Sequence, residues 1–426
     1  APAERELVHA ELSVAALLDS ATLALPDTSA CEVAEYRVKF TPDLVGRPVI
    51  GAQVGGNFGN GIYGGSAIFL SDMLGNHNIL LAGQVSGSFN DAYILAQYGY
   101  LRERTNLGFG YEQFPLYGFV GSDFNLLTGV QRNVWLRDVY RTLRAEIYYP
   151  RSVFERLELG LGGSYITRDQ IVERFDFSTG QFRRDTDRLE SLVLAQPSVA
   201  WVYDNALFGF TGPTAGQRMR VQYSRNFGDL ELNNVLVDLR RYLGLRGRFG
   251  FAMQFRSLWR SGPDADEFPL YWGGPYFIRG YDGGSFSGRE CERSRERAQA
   301  AGVPSSQITA CPVRDQLIGS SFALASLEFR FPVLNWLDLG FVPIGFPPID
   351  GALFFEGGLA WLPDSRLAAG RGPGESPWTV RAPVSAAGAS LRMNVFYTVL
   401  RLDYSVPFNR PDRRGGLWSF SIGPSF

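Results

Sequence analysis

From about residue 45 onward, apolar and polar residues alternate with a period of two. In "HNILLAGQVSGSF", Ile79, Leu81, Val85 and Phe89 fall on one face, and Asn78, Gln84, Ser86 and Ser88 on the other. "RLELGLGGSYIT" sets Leu157, Leu159, Leu161 and Tyr165 against Glu158, Gly160 and Ser164. "RFGFAMQFR" sets Phe249, Phe251, Met253 and Phe255 against Arg248, Gln254 and Arg256. "ALASLEFRF" sets Ala325, Leu327, Phe329 and Phe331 against Ser326, Glu328 and Arg330. Successive side chains of a strand point to opposite faces, so this period predicts β-strands. Several runs reach ten residues or more. That exceeds the usual globular length of about 5–6 residues and suits a tilted membrane strand of about 9–11.

The pattern predicts sixteen strands, at 47–57, 61–72, 77–88, 91–103, 106–115, 133–148, 154–168, 188–203, 216–226, 229–243, 246–260, 318–331, 349–362, 383–393, 395–406 and 416–426. Connections after even strands are mostly tight, such as "MLGN" and "GLR". Those after odd strands include the long ones, 116–132, 169–187, 261–317 and 363–382. Tight turns on one side and long loops on the other are the pattern of an outer-membrane barrel. The connections at 204–215 and 332–348 are long and proline-rich on the short side, and break it. Tyr98, Tyr100, Trp201, Tyr203, Trp259 and Trp361 stand at strand ends, where an interfacial girdle would sit. A soluble sandwich rarely needs strands of this length. A propeller needs a repeat of about 40–50 residues, and none is visible.

Composition supports this picture. The 426 residues carry 41 basic and 43 acidic side chains, a net of −2, which argues against a nucleic-acid partner. Mean hydropathy is −0.08, and no run of about 18 apolar residues exists for a transmembrane helix. Alternating strands average to neutral hydropathy, so a barrel stays open. Glu4 to Ser20 has helical spacing, ended by Pro26 and Ser29; residues 1–44 therefore read as a periplasmic helix and linker, or equally as a disordered leader, before a barrel over 45–426. The start "APAERELVHA", without Met or signal peptide, reads as a trimmed piece of a longer precursor. Cys31 stands alone, and His9 and His77 are far apart. No metal-ligand spacing, GxSxG or other catalytic set is visible, so neither an enzyme nor a cofactor or metal site is expected. "GGNFGNGIYGG", 55–65, has no GK(S/T) after it and reads as a hairpin turn, not a phosphate loop.

One stretch is more specific. "LYWGGPYFIRGYDGGSF" places a lone Arg279, followed by Gly280 and Tyr281, among aromatics and glycines. It resembles the (V/I)RG(F/Y) motif of the BamA/TamA superfamily, the bacterial surface antigen family. There the motif lies in the sixth extracellular loop, which folds back into the lumen, and its Arg meets acidic residues on the inner wall. "LIGSSFALASLEFRFPV" and "GALFFEGGLAW" resemble the next two strands of that family. "LWSFSIGPSF" alternates Trp418, Phe420 and Ile422 and ends on Phe426. It resembles the terminal signal that such barrels present to the assembly machinery. The resemblance covers about residues 216–426. In the front half, "VKFTPDLVGRPVIG" and "FLSDMLGNHNI" resemble the barrel that follows TolB-like propellers.

By alternation Glu328 and Glu356 point inward, where a carboxylate on a barrel wall is tolerable. Arg279 is their expected partner, since its planar fork matches a carboxylate bidentately. Cys291 and Cys311 flank "RECERSRERAQAAGVPSSQITACPV". The oxidising compartment and the resemblance imply a disulfide between them, worth about 3 kcal/mol in the chain-entropy model. "RECERSRERAQAA" is expected to form a short helix with its Arg and Glu side chains solvated.

The expected fold is a sixteen-stranded antiparallel transmembrane barrel, with the 261–317 loop in its lumen. It closes between its first and last strands in a bacterial outer membrane, with both termini periplasmic. The expected partners are outer-membrane lipid and lipopolysaccharide, the barrel-assembly machinery during biogenesis, and polypeptide substrates. The resemblance implies a membrane domain for outer-membrane protein assembly, insertion or polypeptide translocation. The alternatives are an anchor for a periplasmic propeller or other domain, or a passive surface antigen or pore.

Overall fold

The computed structural model describes residues 35–46, 49–53, 61–86, 88–125, 128–245, 248–267, 269–334, 347–368, 380–395 and 398–422. The expected helix at 4–20, Cys31 and Phe426 lie outside them. The chain divides into two units, Ala1–Lys39 and Phe40–Phe426. Of the first, only residues 35–39 are described, as irregular chain.

The second unit is all-β and is built on one large antiparallel sheet. Its first segments are β1 (Phe40–Val45) and β2 (Val49–Gln53), both paired with β3 (Gly61–Asp72). The meander continues through β4 (His77–Ser86), β5 (Ser88–Tyr100), β6 (Asn106–Asn125), β7 (Val130–Pro150), β8 (Glu155–Asp176) and β9 (Phe182–Asp204). A two-residue β10 (Leu207–Phe208) precedes β11 (Pro213–Gly228), β12 (Leu232–Gly244) and β13 (Gly250–Ser261). After a long excursion, β13 pairs with β16 (Ser321–Leu334). The sheet then runs through β17 (Ile349–Trp361), β20 (Val384–Val395), β21 (Thr398–Pro407) and β22 (Leu417–Ile422). Small pairs flank it: β14 (Leu270–Tyr271) with β15 (Ile318–Gly319), and β18 (Arg366–Leu367) with β19 (Val380–Arg381).

Alternation sorts the two faces as the sequence predicts. Trp418, Phe420 and Ile422 are 68%, 59% and 56% exposed. Leu159, Leu161, Phe251, Phe255, Leu327 and Phe355 are exposed on the same face, whereas Gln254, Ser326, Glu328 and Glu356 are buried on the other. So large an apolar surface is not stable against water; lipid is its natural solvent.

Two expected loops are largely strand. Residues 116–132 and 169–187 extend the hairpins of β6–β7 and β8–β9, whose strands run 20 to 23 residues. At about 3.3 Å per residue such strands overshoot a band of about 25 Å. In these extensions charged residues stand among apolar ones on both faces, and the neighbours Ile171 and Val172 are both buried, so the period that marks a half-buried strand disappears. Cross-strand pairs take over instead. Arg137 lies 2.7 Å from Asp169 and 2.8 Å from Asp91, and Arg168 lies 2.7 Å from Asp138.

Candidate functional site

The segment between β13 and β16 turns back over the inner face of the sheet. Trp272, Ile278, Tyr281 and Leu317 of the segment pack with Phe322, Leu324, Ala360, Val384 and Ala386 of the wall. The Trp272 ring stacks on Phe322 with centroids 4.0 Å apart, and its Nε1 donates to the Gly319 carbonyl at 2.7 Å. Gly358 makes room for this packing: a Cβ there would stand 2.5 Å from Ile278 Cδ1. Gly280 has φ +82, a backbone conformation open to glycine, and a Cβ would crowd Ser405 at 3.3 Å.

This turn delivers Arg279 to the carboxylates of the wall. Its Nη2 lies 2.8 Å from Glu356 and 3.1 Å from Glu328, and its Nε donates to Glu356 at 3.0 Å. The main-chain N–H of Arg279 also donates to the Glu356 carboxylate. The guanidinium lies 3.4 Å from the centroid of the Phe354 ring, a cation–π contact. A third carboxylate, Asp403 on β21, stands 3.5 Å from Nη1. The sequence reading missed it, although "RLDYSVP" alternates and places Arg401, Asp403 and Ser405 on one face.

The cluster continues along the wall. Glu328 also meets Arg392 at 2.6 Å and Arg330 at 2.9 Å, and Asp403 meets Arg401 at 2.9 Å. Arg279, Glu328, Glu356, Arg392 and Asp403 are at most 2% exposed. Charges so far from water persist only when paired, and four arginines share three carboxylates here. All four cations are guanidinium groups, whose forks can each serve two acceptors.

Tyr281 and Arg410 secure the neighbouring chain. Tyr281 Oη donates to the Ser385 carbonyl at 3.1 Å and accepts from the Asn409 N–H at 3.1 Å. Burial pushes its hydroxyl up to about 12, so it remains a neutral donor at ordinary pH. Arg410, from the connection between β21 and β22, donates to the Gly280 carbonyl at 2.8 Å and pairs with Glu290 at 3.0 Å.

Glu290 lies in α1 (Gly288–Ala300), the helix the sequence predicts. Ser287 caps it, with Glu290 completing a capping box. The expectation of solvated Glu side chains fails here: Glu290 is 4% exposed. Sequence alone could not show that Arg410, 120 residues away, would cover it. Cys291 and Cys311 form the expected disulfide, tying α1 to the return of the loop.

The match to known proteins agrees with this geometry. The model of the Omp85 superfamily domain matches residues 94–426. The chain belongs to the Omp85 superfamily. It is a bacterial outer-membrane β-barrel protein. Among solved structures it is similar to BamA from Haemophilus ducreyi lacking POTRA domains 1–3, with TM-score 0.54 and 16% identity over 91% of this chain and 70% of that one. It is similar also to CdiB from Acinetobacter baumannii, with TM-score 0.50 and 14% identity over 91% of this chain and 64% of that one. At these identities the likeness is one of fold. No curated protein matches the chain.

Proposed function

We propose that the chain is a sixteen-stranded barrel, closed between its first and last strands, that serves assembly or insertion of outer-membrane proteins or translocation of polypeptide. Membership of the Omp85 superfamily supports this reading. The observation that carries it is the buried seat of Arg279. A long loop fixed in the lumen by a buried ion cluster argues against a passive pore of large conductance. A barrel that must stay sealed at rest and yield to a substrate needs such a removable fill. Arg279, Gly280 and Tyr281 would pin the loop, Glu328 and Glu356 would receive it, and the strand ending in Phe426 would carry the assembly signal.

The test is reconstitution of the full-length protein in vesicles of outer-membrane lipid. It should accelerate the folding of an added unfolded barrel protein, or admit an added polypeptide, and Arg279→Ala should lose this. Failure of the parent protein in both assays, with vesicles that stay sealed to small ions, would favour the anchor reading instead.

A further inference from the structure

The long loop reaches beyond its ion cluster to the final strand. Tyr276, three residues before Arg279, donates its hydroxyl to the main-chain carbonyl of Ile422 at 2.5 Å. Arg401 holds the same region. Its Nη2 donates to the Pro275 carbonyl, and its Nε donates to Ser421 Oγ at 3.0 Å. Its guanidinium lies 5.7 Å from the centroid of the Tyr276 ring. Arg401 also meets Asp403 at 2.9 Å, which in turn faces Arg279 at 3.5 Å.

An unbroken run of contacts therefore leads from Arg279 through Asp403 and Arg401 to Ser421 and Ile422. Its two ends differ in character. Arg279, Asp403 and Arg401 are buried, at 2%, 0% and 4% exposure. Tyr276 is 54% exposed, and its hydroxyl bonds a backbone group, so it reads strand position and not side-chain identity. Among the described residues, β22 pairs only with β21. Beside its ladder with β21, the described support of β22 comes from the loop.

We propose that Tyr276 and Arg401 form a latch between the long loop and the end of the last strand. Seating of the loop and placement of β22 are then one coupled equilibrium. The loop cannot leave its seat without loosening β22, and displacement of β22 releases the tip of the loop. Only the consequence for opening the barrel rests on the closure proposed above. The latch itself joins two described parts of the chain.

The test is hydrogen exchange on the purified full protein in detergent micelles, comparing the parent with Tyr276→Phe. This change removes one hydroxyl and keeps the ring beside Arg401. A single hydrogen bond of ordinary net strength corresponds to roughly two- to tenfold faster exchange. That acceleration is expected in both 270–281 and 417–422, with β8 and β9 unchanged. Tyr223→Phe serves as the control, since its hydroxyl bonds Asn233 at 2.8 Å on the outer face, and it should move neither segment. Should Tyr276→Phe lower the assembled yield, Ser421→Ala removes only the side-chain contact to Arg401, and the same paired acceleration is expected. Unchanged exchange at 417–422, or acceleration of one segment alone, overturns the latch. No substrate enters the measurement, so a protein inactive in the vesicle assay still reports on it.

Discussion

At the scale of single residues, the proposed pinning of the loop turns on Arg279 and its contacts with Glu356 and Glu328. Removing one member of a buried ion pair leaves the others uncompensated, at a cost of about 3–5 kcal/mol. Arg279→Ala should therefore make 261–317 sensitive to protease in folded protein and lower the temperature at which the compact gel band is lost. Arg279→Lys should recover little, because an ammonium cannot span Glu356 and Glu328 together. The exchange Arg279→Glu with Glu356→Arg should also fail, since Glu356 accepts from the main-chain N–H at 279 as well. Recovery by the exchange would show that net charge alone holds the loop. Arg279, Glu328 and Glu356 were legible in the sequence because alternation fixes inward positions and the motif marks the arginine. Asp403 carried the same alternation signal and was overlooked. Glu290 and Arg410 carried none, since their meeting depends on how two separate connections fold together.

At the scale of elements, period-two reading locates strands where one face meets an apolar medium. It fails where charged and apolar residues share both faces, as in the outer parts of β6 to β9, where the neighbours Ile171 and Val172 are both buried. There the ladder rests on buried charge pairs, centred on Arg137, which is 6% exposed and serves both Asp91 and Asp169. Arg137→Ala should speed hydrogen exchange in 116–134 and 169–188 while leaving β16, β17 and β20 as protected as before. Equal loosening of those three strands would mean that the projecting hairpins and the wall form one cooperative unit. The disulfide acts on a different element. Reduction removes a constraint worth about 3 kcal/mol in the chain-entropy model. It should expose 288–311 to protease, while Arg279 and Tyr281 keep their own segment protected. Cleavage near 279 in reduced protein would place the seat of the motif under control of the cystine.

At the scale of the whole molecule, the apolar face and the ion cluster impose one requirement together. The outer face needs lipid, and in lipid an unpaired strand edge leaves backbone N–H and C=O groups unsatisfied at several kcal/mol each. Among the described residues the outer edges of β1–β2 and β22 show no strand partner, and in lipid they have to meet or each find another. The two edges run in compatible directions. β22 ends, and β1 begins, at the end of the sheet that carries the turns at 73–76, 101–105 and 151–154, so an antiparallel pairing between them needs no crossover. The measurement is a scan of cysteine pairs, one position in Phe40–Gln53 and one in Leu417–Ile422, in protein lacking Cys31. One register should give an intramolecular cross-link in membranes under mild oxidation, visible as a compact band that no longer opens on heating. Register is a discrete property of a strand pair, since a slip of one residue would turn the apolar face of β22 inward. A cross-link in alternate positions of a single register would thus locate the seam as well as prove it, whereas absence of any cross-link across the scan would refute closure along β22.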